Sequence, residues 1–213
     1  MPMQLKASCW FLMCAFLQKG ISILTTPIFT RLLSTAEYGQ YSVFNSWLGI
    51  ITLFVSLNLS CGVYTQGLVK FEEEEKAFSS SLQGLSTILV AGWTVLYILF
   101  YKFWNRLFSL STVQMLSMLA IIWATAVFGF WASAQRVHYR YKMLVFVTLV
   151  VSIAKPIVGV FFVIHAENRV TARILGLAMV ELIGYSALFW LQMFRGKKIF
   201  VGMHTVLFAG CLL

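Results

Sequence analysis

The sequence predicts an all-α fold, a polytopic membrane helix bundle of six transmembrane helices plus an incomplete seventh, and three observations carry that prediction. Of the 213 residues 60% are apolar and only 11% charged, with a mean hydropathy of +0.85, whereas a soluble domain carries about 25% charged residues. One small core cannot hide so many apolar side chains, so the excess faces lipid. Charge-free runs of about the 20 residues that a spanning helix needs recur along the chain, and short basic clusters separate them. That length holds at most about eight to ten spans with short connections, which excludes a large extramembrane domain.

The first run, Ala7 to Thr30, is too long for a cleavable signal and no small-residue cleavage site follows it, so it is read as span one. Ser34 to Glu37 supplies a turn, and the 32 charge-free residues from Tyr38 to Val69 contain span two. A charged loop from Lys70 to Lys76 leads to span three within Ala77 to Tyr101, and a polar connection at Lys102 to Arg106 leads to span four, Leu107 to Gln135. Arg136, His138, Arg140 and Lys142 close that span. Span five is Met143 to Ile164, His165 to Arg173 is a loop, and span six is Ile174 to Phe194. Residues 1–198 are thus expected to form an amino-terminal six-helix lobe, and residues 199–213 an incomplete seventh span or an altered C-terminal tail, being too few for a crossing.

Loop charges orient the bundle. With the N-terminus cytoplasmic, Lys6, Lys70, Lys76, Arg136, Arg140, Lys142, Arg195, Lys197 and Lys198 lie inside, against Arg31, Lys102, Arg106, Arg169 and Arg173 outside. Basic residues favour the inner side, so the N-terminus is expected in the cytoplasm.

Two lysines fall within spans. Lys19 follows Ala7, and Lys155 follows Met143, by twelve residues, which puts each about 18 Å deep on a helix. A lysine stem covers roughly a third of that distance, and an ammonium at the bilayer centre costs on the order of 3 kcal/mol. Such residues face a partner or a wet cavity. Their helical neighbours follow offsets of three and four: Gln18, Ser22, Thr25, Thr26 and Thr30 with Lys19, and Thr148, Ser152 and Gly159 with Lys155. Asn45, Gly49, Thr52 and Ser56 form a third polar stripe. Small polar stripes serve either close helix packing or an aqueous path. Packing suits the stripe without lysine, and the cavity reading suits the two with lysine. Glu181 can neutralise one of the two ammoniums, and the remaining positive charge is matched by an anionic substrate. Pro27 and Pro156 interrupt the backbone hydrogen bonding of the same two lysine-bearing helices, for gating or for packing shape alone.

Catalytic and cofactor chemistry has little in the sequence to support it. There is no aspartate among the seven acidic residues, Glu72 to Glu75 reads as a solvated charge run, and His138, His165 and His204 lie in separate regions. Cys9, Cys14, Cys61 and Cys211 lack metal-ligand spacing and read as small buried hydrophobes. No enzyme activity, no metal and no cofactor is expected. The net charge of +9 suits anionic lipid headgroups or an anionic cargo. The Arg and Tyr residues of Gln135 to Lys142 anchor a helix at the headgroups, with no nucleic-acid partner expected.

The stretch QKGISILTTPIFTRLLSTAEYGQYSVFNSW, Gln18 to Trp47, resembles the first helix and turn of Wzx-type O-antigen and polysaccharide repeat-unit flippases, in the multidrug and oligosaccharidyl-lipid exporter superfamily. The matching elements are Pro27-Ile28, Thr30 to Ser34 and Glu37 to Tyr41, with a weaker echo at Gln135-Arg136 and Arg140-Tyr141. The resemblance implies export of polyprenyl-diphosphate-linked oligosaccharide units across the cytoplasmic inner membrane of a bacterium, during lipopolysaccharide or other surface polysaccharide synthesis, by alternating access between two lobes. It implies that Lys19 and Lys155 contact the anionic diphosphate, with Gln18 and Asn45 beside them on polar faces and Glu181 as charge partner. Arg31 serves either the turn that follows it or a gate. Such proteins have two lobes and this chain holds one, so a truncated frame is expected, or a half transporter that dimerises or pairs with a second lobe. Other readings are a non-transporting assembly subunit, in which the lysines meet partner residues; a drug or solute exporter of the same superfamily, which would want an acidic cavity; and a membrane glycosyltransferase or polymerase, which the absence of aspartate disfavours.

Overall fold

The computed structural model describes residues 3–57, 59–60, 62–70 and 75–196. Among these it contains eight helices and no strand: α1 (Met3–Leu32), α2 (Thr35–Ser56), α3 (Gly62–Lys70), α4 (Glu75–Leu99), α5 (Tyr101–Phe108), α6 (Thr112–Val137), α7 (Tyr141–His165) and α8 (Arg169–Gly196). The all-α prediction holds.

Local chemistry starts and stops these helices. Before α2 the Ser34 hydroxyl accepts the Glu37 N–H at 3.3 Å while the Glu37 carboxylate accepts the Ser34 N–H at 2.7 Å. Ser111 and Gln114 repeat this reciprocal cap before α6, at 3.3 and 3.1 Å. Caps of this kind satisfy otherwise orphaned amides and stabilise a helix by about 1 kcal/mol. Leu57, Ser109 and Tyr139 take left-handed conformations (φ 46°, 54° and 53°) just past α2, α5 and α6, turning the chain where those helices end. Pro27 and Pro156 are accommodated without a break, since α1 runs through the first and α7 through the second.

Among the described residues five helices are long and apolar enough to cross a membrane: Gln4–Leu32, Glu75–Leu99, Thr112–Val137, Tyr141–His165 and Arg169–Gln192. The 32-residue run expected to hold span two is divided instead between α2 and α3. At 22 residues, α2 has the length of a span, about 33 Å, but Glu37, Gln40 and Asn45 dilute its N-terminal half and it is not among the five. The expected seventh span, 199–213, lies outside the described residues. The polar connection expected at Lys102 to Arg106 is the short helix α5. Tyr97 donates to Asn105 and Asn105 donates to Thr112, each at 2.8 Å, fixing α5 between α4 and α6.

Packing centres on α8, which lies against both α6 and α7, while α1 leans on α7 and barely touches α2. The most enclosed of the five long helices is α6. The approach of α7 to α8 is close because glycines meet: a Cβ on Gly176 would sit 3.3 Å from Gly159 Cα and 3.4 Å from Val158 O. Small residues permit such backbone contact within lipid. Leu12, Phe16, Ile23 and Leu24 of α1 stay exposed, an apolar outer surface suited to hydrocarbon.

Candidate functional site

The three residues between α7 and α8 make these helices antiparallel neighbours. Lys155 lies fourteen residues into its span, and Glu181 twelve residues into the next, so both sit near mid-helix, about 18–21 Å from the ends at which those spans begin. Antiparallel packing brings them together. Lys155 Nζ lies 2.5 Å from Glu181 Oε1, with side chains 31% and 6% exposed respectively. Glu181 was expected nearer the membrane surface, because the sequence put the start of its helix at Ile174 rather than Arg169. Its second oxygen, Oε2, is buried without a hydrogen-bond partner.

One turn before Lys155, the Ser152 hydroxyl accepts a hydrogen bond from Gln18 Nε2 at 3.1 Å. This bond joins α1 to α7 and brings Gln18 to the turn of α7 that carries Lys155. Lys19 follows Gln18 and is exposed, and among the described residues it has no hydrogen bond or ion pair. The pairing of Glu181 with Lys155 therefore leaves Lys19 as the uncompensated ammonium at mid-helix.

The stripes sort differently from expectation. On α7, Thr148 and Gly159 are buried, and a Cβ on Gly159 would meet the Phe29 ring at 3.1 Å, so much of this lysine-bearing stripe is a packing face. On α2, Asn45 and Gly49 are exposed, although packing was the reading for that stripe. The difference arises because helical spacing shows which residues share a face and not which neighbour that face meets. On α1, Ser22, Thr26 and Thr30 are exposed, and the Thr25, Thr26 and Thr30 hydroxyls bond back to carbonyls of their own helix.

Asn45 and Arg31 are not drawn into the Lys155 cluster. Both are exposed, and among the described residues neither side chain makes a hydrogen bond or ion pair. Arg169 takes the turn-stabilising part considered for Arg31, donating to the Leu32 carbonyl at 3.0 Å. There a cation also meets the negative end of α1.

Sequence reasoning missed Arg173, which it counted as an outer-loop charge. It is 9% exposed, one turn into α8, with its guanidinium carbon 3.7 Å from the Phe29 ring centre and 3.5 Å from that of Tyr41. The Tyr38 ring lies 6.0 Å away, and Nη1 has no hydrogen-bond partner. A desolvated guanidinium between aromatic faces gains about 2 kcal/mol. This cage ties α1, α2 and α8 together. The available signal was Tyr38 and Tyr41 at a spacing of three, on one face of α2. Glu37, also in that motif, lies outside the spans, and the Ser34 N–H and hydroxyl hold its carboxyl below the ordinary value. The Glu37 to Tyr41 motif thus works as a helix cap and a cation cage.

At the opposite end of the bundle, His138 Nε2 meets Glu75 Oε1 at 2.8 Å, so one carboxylate of the predicted solvated run joins α4 to the end of α6. Burial pushes the Tyr64 hydroxyl on α3 up to about 12, beside the Ser79 hydroxyl at 2.7 Å. Among the described residues no group of three or more His, Cys, Asp or Glu could hold a metal ion. Described Cys9 is exposed and Cys14 buried.

Five long apolar helices and the mid-helix ion pair between two of them define the class, a multi-pass membrane helix bundle. The family model for polysaccharide biosynthesis proteins matches residues 5–209, and the chain belongs to that family. No curated protein and no solved structure matches it.

Proposed function

We propose that this chain is the amino-terminal lobe of a Wzx-type flippase, which exports polyprenyl-diphosphate-linked oligosaccharide repeat units across the bacterial inner membrane for O-antigen, lipopolysaccharide or related polymers. It acts with a second lobe or a second copy of itself, and its N-terminus faces the cytoplasm. The observation that carries this reading is Lys19: it lies mid-way along a spanning helix of a polysaccharide biosynthesis protein, exposed and without a counter-ion among the described residues. An ammonium there is costly in hydrocarbon and favourable beside a diphosphate in a wet cavity. Lys155 is neutralised by Glu181 in the resting lobe and exchanges that carboxylate for phosphate when substrate enters. Gln18 positions the two helices, Asn45 and Arg31 line the path beyond them, and the protein moves its cargo without covalent chemistry.

The test is Lys19→Gln with Lys155→Gln in a two-lobe protein, assayed for surface polysaccharide in cells lacking their own flippase. Loss of surface polymer with normal membrane insertion is the expected result, and undiminished polymer refutes the binding role. Reporter fusions at Arg140 and Glu167 are expected on the cytoplasmic and outer sides respectively. One observation favours a second reading, a non-transporting assembly subunit: Lys155 already has an internal partner. That reading predicts full polymer export by Lys19→Gln alone and by Lys155→Gln combined with Glu181→Gln, which strands no charge.

A further inference from the structure

A crevice of about 270 Å³ lies between α2, α4 and α6 under α5, and the site described above does not use it. Ile51, Phe54 and Val55 form one wall, Trp93 another and Leu119 a third. Trp104 and Phe108 of α5 roof it, their rings stacked with centres 5.6 Å apart, and Trp47 meets Phe108 edge-on at 4.5 Å. The accessible lining is wholly apolar, so water finds no hydrogen-bonding partners there and hydrocarbon is the matching occupant.

Residues four apart share a helical face, and α5 has three such pairs in order around its axis. Trp104 and Phe108 point into the crevice, Phe103 and Leu107 are exposed at 60% and 53%, and Lys102 and Arg106 are exposed beside them. A short helix with adjacent cationic and apolar outer faces lies in the plane of the membrane interface. Its place agrees with that, since it follows the end of one span at Leu99 and precedes the start of the next at Thr112. No carboxylate occurs from Lys76 to Ala166, and Glu75, at the far end of α4, is held by His138, so no carboxylate of α4, α5 or α6 competes for the two cations.

We propose that the crevice seats an acyl chain of an anionic phospholipid, whose headgroup phosphate is held by Lys102 and Arg106. The Tyr97–Asn105–Thr112 hydrogen bonds hold α5 at the height where headgroup and chain meet. The bound lipid then braces α2 against α4, along the helix that leads to the Arg173 cage.

The test is native mass spectrometry of the purified full chain titrated with phosphatidylglycerol and with phosphatidylcholine of the same chains. Two interfacial cations favour an anionic headgroup by about thirtyfold in affinity. Lys102→Gln with Arg106→Gln is expected to remove that preference and leave phosphatidylcholine binding unchanged. Both side chains are exposed, so the fold tolerates the change, and an unaltered melting midpoint checks it. Affinity is expected to fall stepwise as the acyl chains are shortened, and glycerol phosphate alone is expected not to compete. Equal binding of the two lipids, an undiminished preference in the variant, or affinity independent of chain length would each overturn the proposal. Displacement of phosphatidylglycerol by an equal concentration of polyprenyl phosphate also overturns it, and gives the crevice to the carrier lipid.

Discussion

Separating Lys155 from Glu181 should reveal how strongly this pair braces the lobe, and the two single variants should differ. Glu181 is 6% exposed with a second, unpartnered oxygen, whereas Lys155 is 31% exposed. Removing one member of a buried pair costs about 3–5 kcal/mol because the other charge is left uncompensated. Lys155→Gln strands the more deeply buried group and should cost that full amount. Glu181→Gln strands a half-exposed ammonium whose stem can seek water, so about 1–3 kcal/mol is expected. The double variant leaves two amides able to hydrogen-bond each other, and its stability should lie within about 1 kcal/mol of wild type. The cycle therefore predicts a coupling of at least about 3 kcal/mol, with Lys155→Gln the worse single change. The assay is reversible unfolding in mixed micelles with increasing SDS, followed by helical circular dichroism. A coupling below about 0.5 kcal/mol, the ordinary scatter of independent sites, would refute the claim that these groups stabilise α7 against α8.

Two further outcomes follow from the packing and the caps. Gly176→Val puts methyl groups against the backbone of Gly159 and Val158, which cannot swing aside, and should destabilise by about 1–3 kcal/mol. Gly92→Ala, where a Cβ meets nothing within 4 Å, should instead stabilise by about 0.5–1 kcal/mol through helix propensity. Thermal melts that move both variants in the same direction would contradict this contrast. Because Ser34 lowers the Glu37 carboxyl below 4.5 in the folded chain, its stabilisation is present above that value and is lost as pH falls through the lowered one. The melting difference between wild type and Glu37→Ala should accordingly be full at neutral pH and vanish in acid, and a difference that persists in acid would show the carboxylate is not the capping group.

Composition and periodicity determined the membrane class and the helical fold. A chain this apolar and this poor in charge must hide its backbone polar groups in helices or a closed barrel, and its runs are helix-length. Charge alone singled out Lys19, Lys155 and Glu181, because an ionised group within an apolar run is too costly to be incidental. The sequence shows the run that holds the second span as one continuous uncharged stretch, and only the structure shows Leu57 turning the chain and dividing that run between α2 and α3. Only tertiary structure chose which lysine Glu181 meets, since that depends on the antiparallel register of α7 and α8 and on the glycines that let them approach. It likewise moved Arg173 from an outer loop into a cage built by α1 and α2. Partners so far apart in sequence leave no local periodicity to read; they become neighbours through the packing of whole helices.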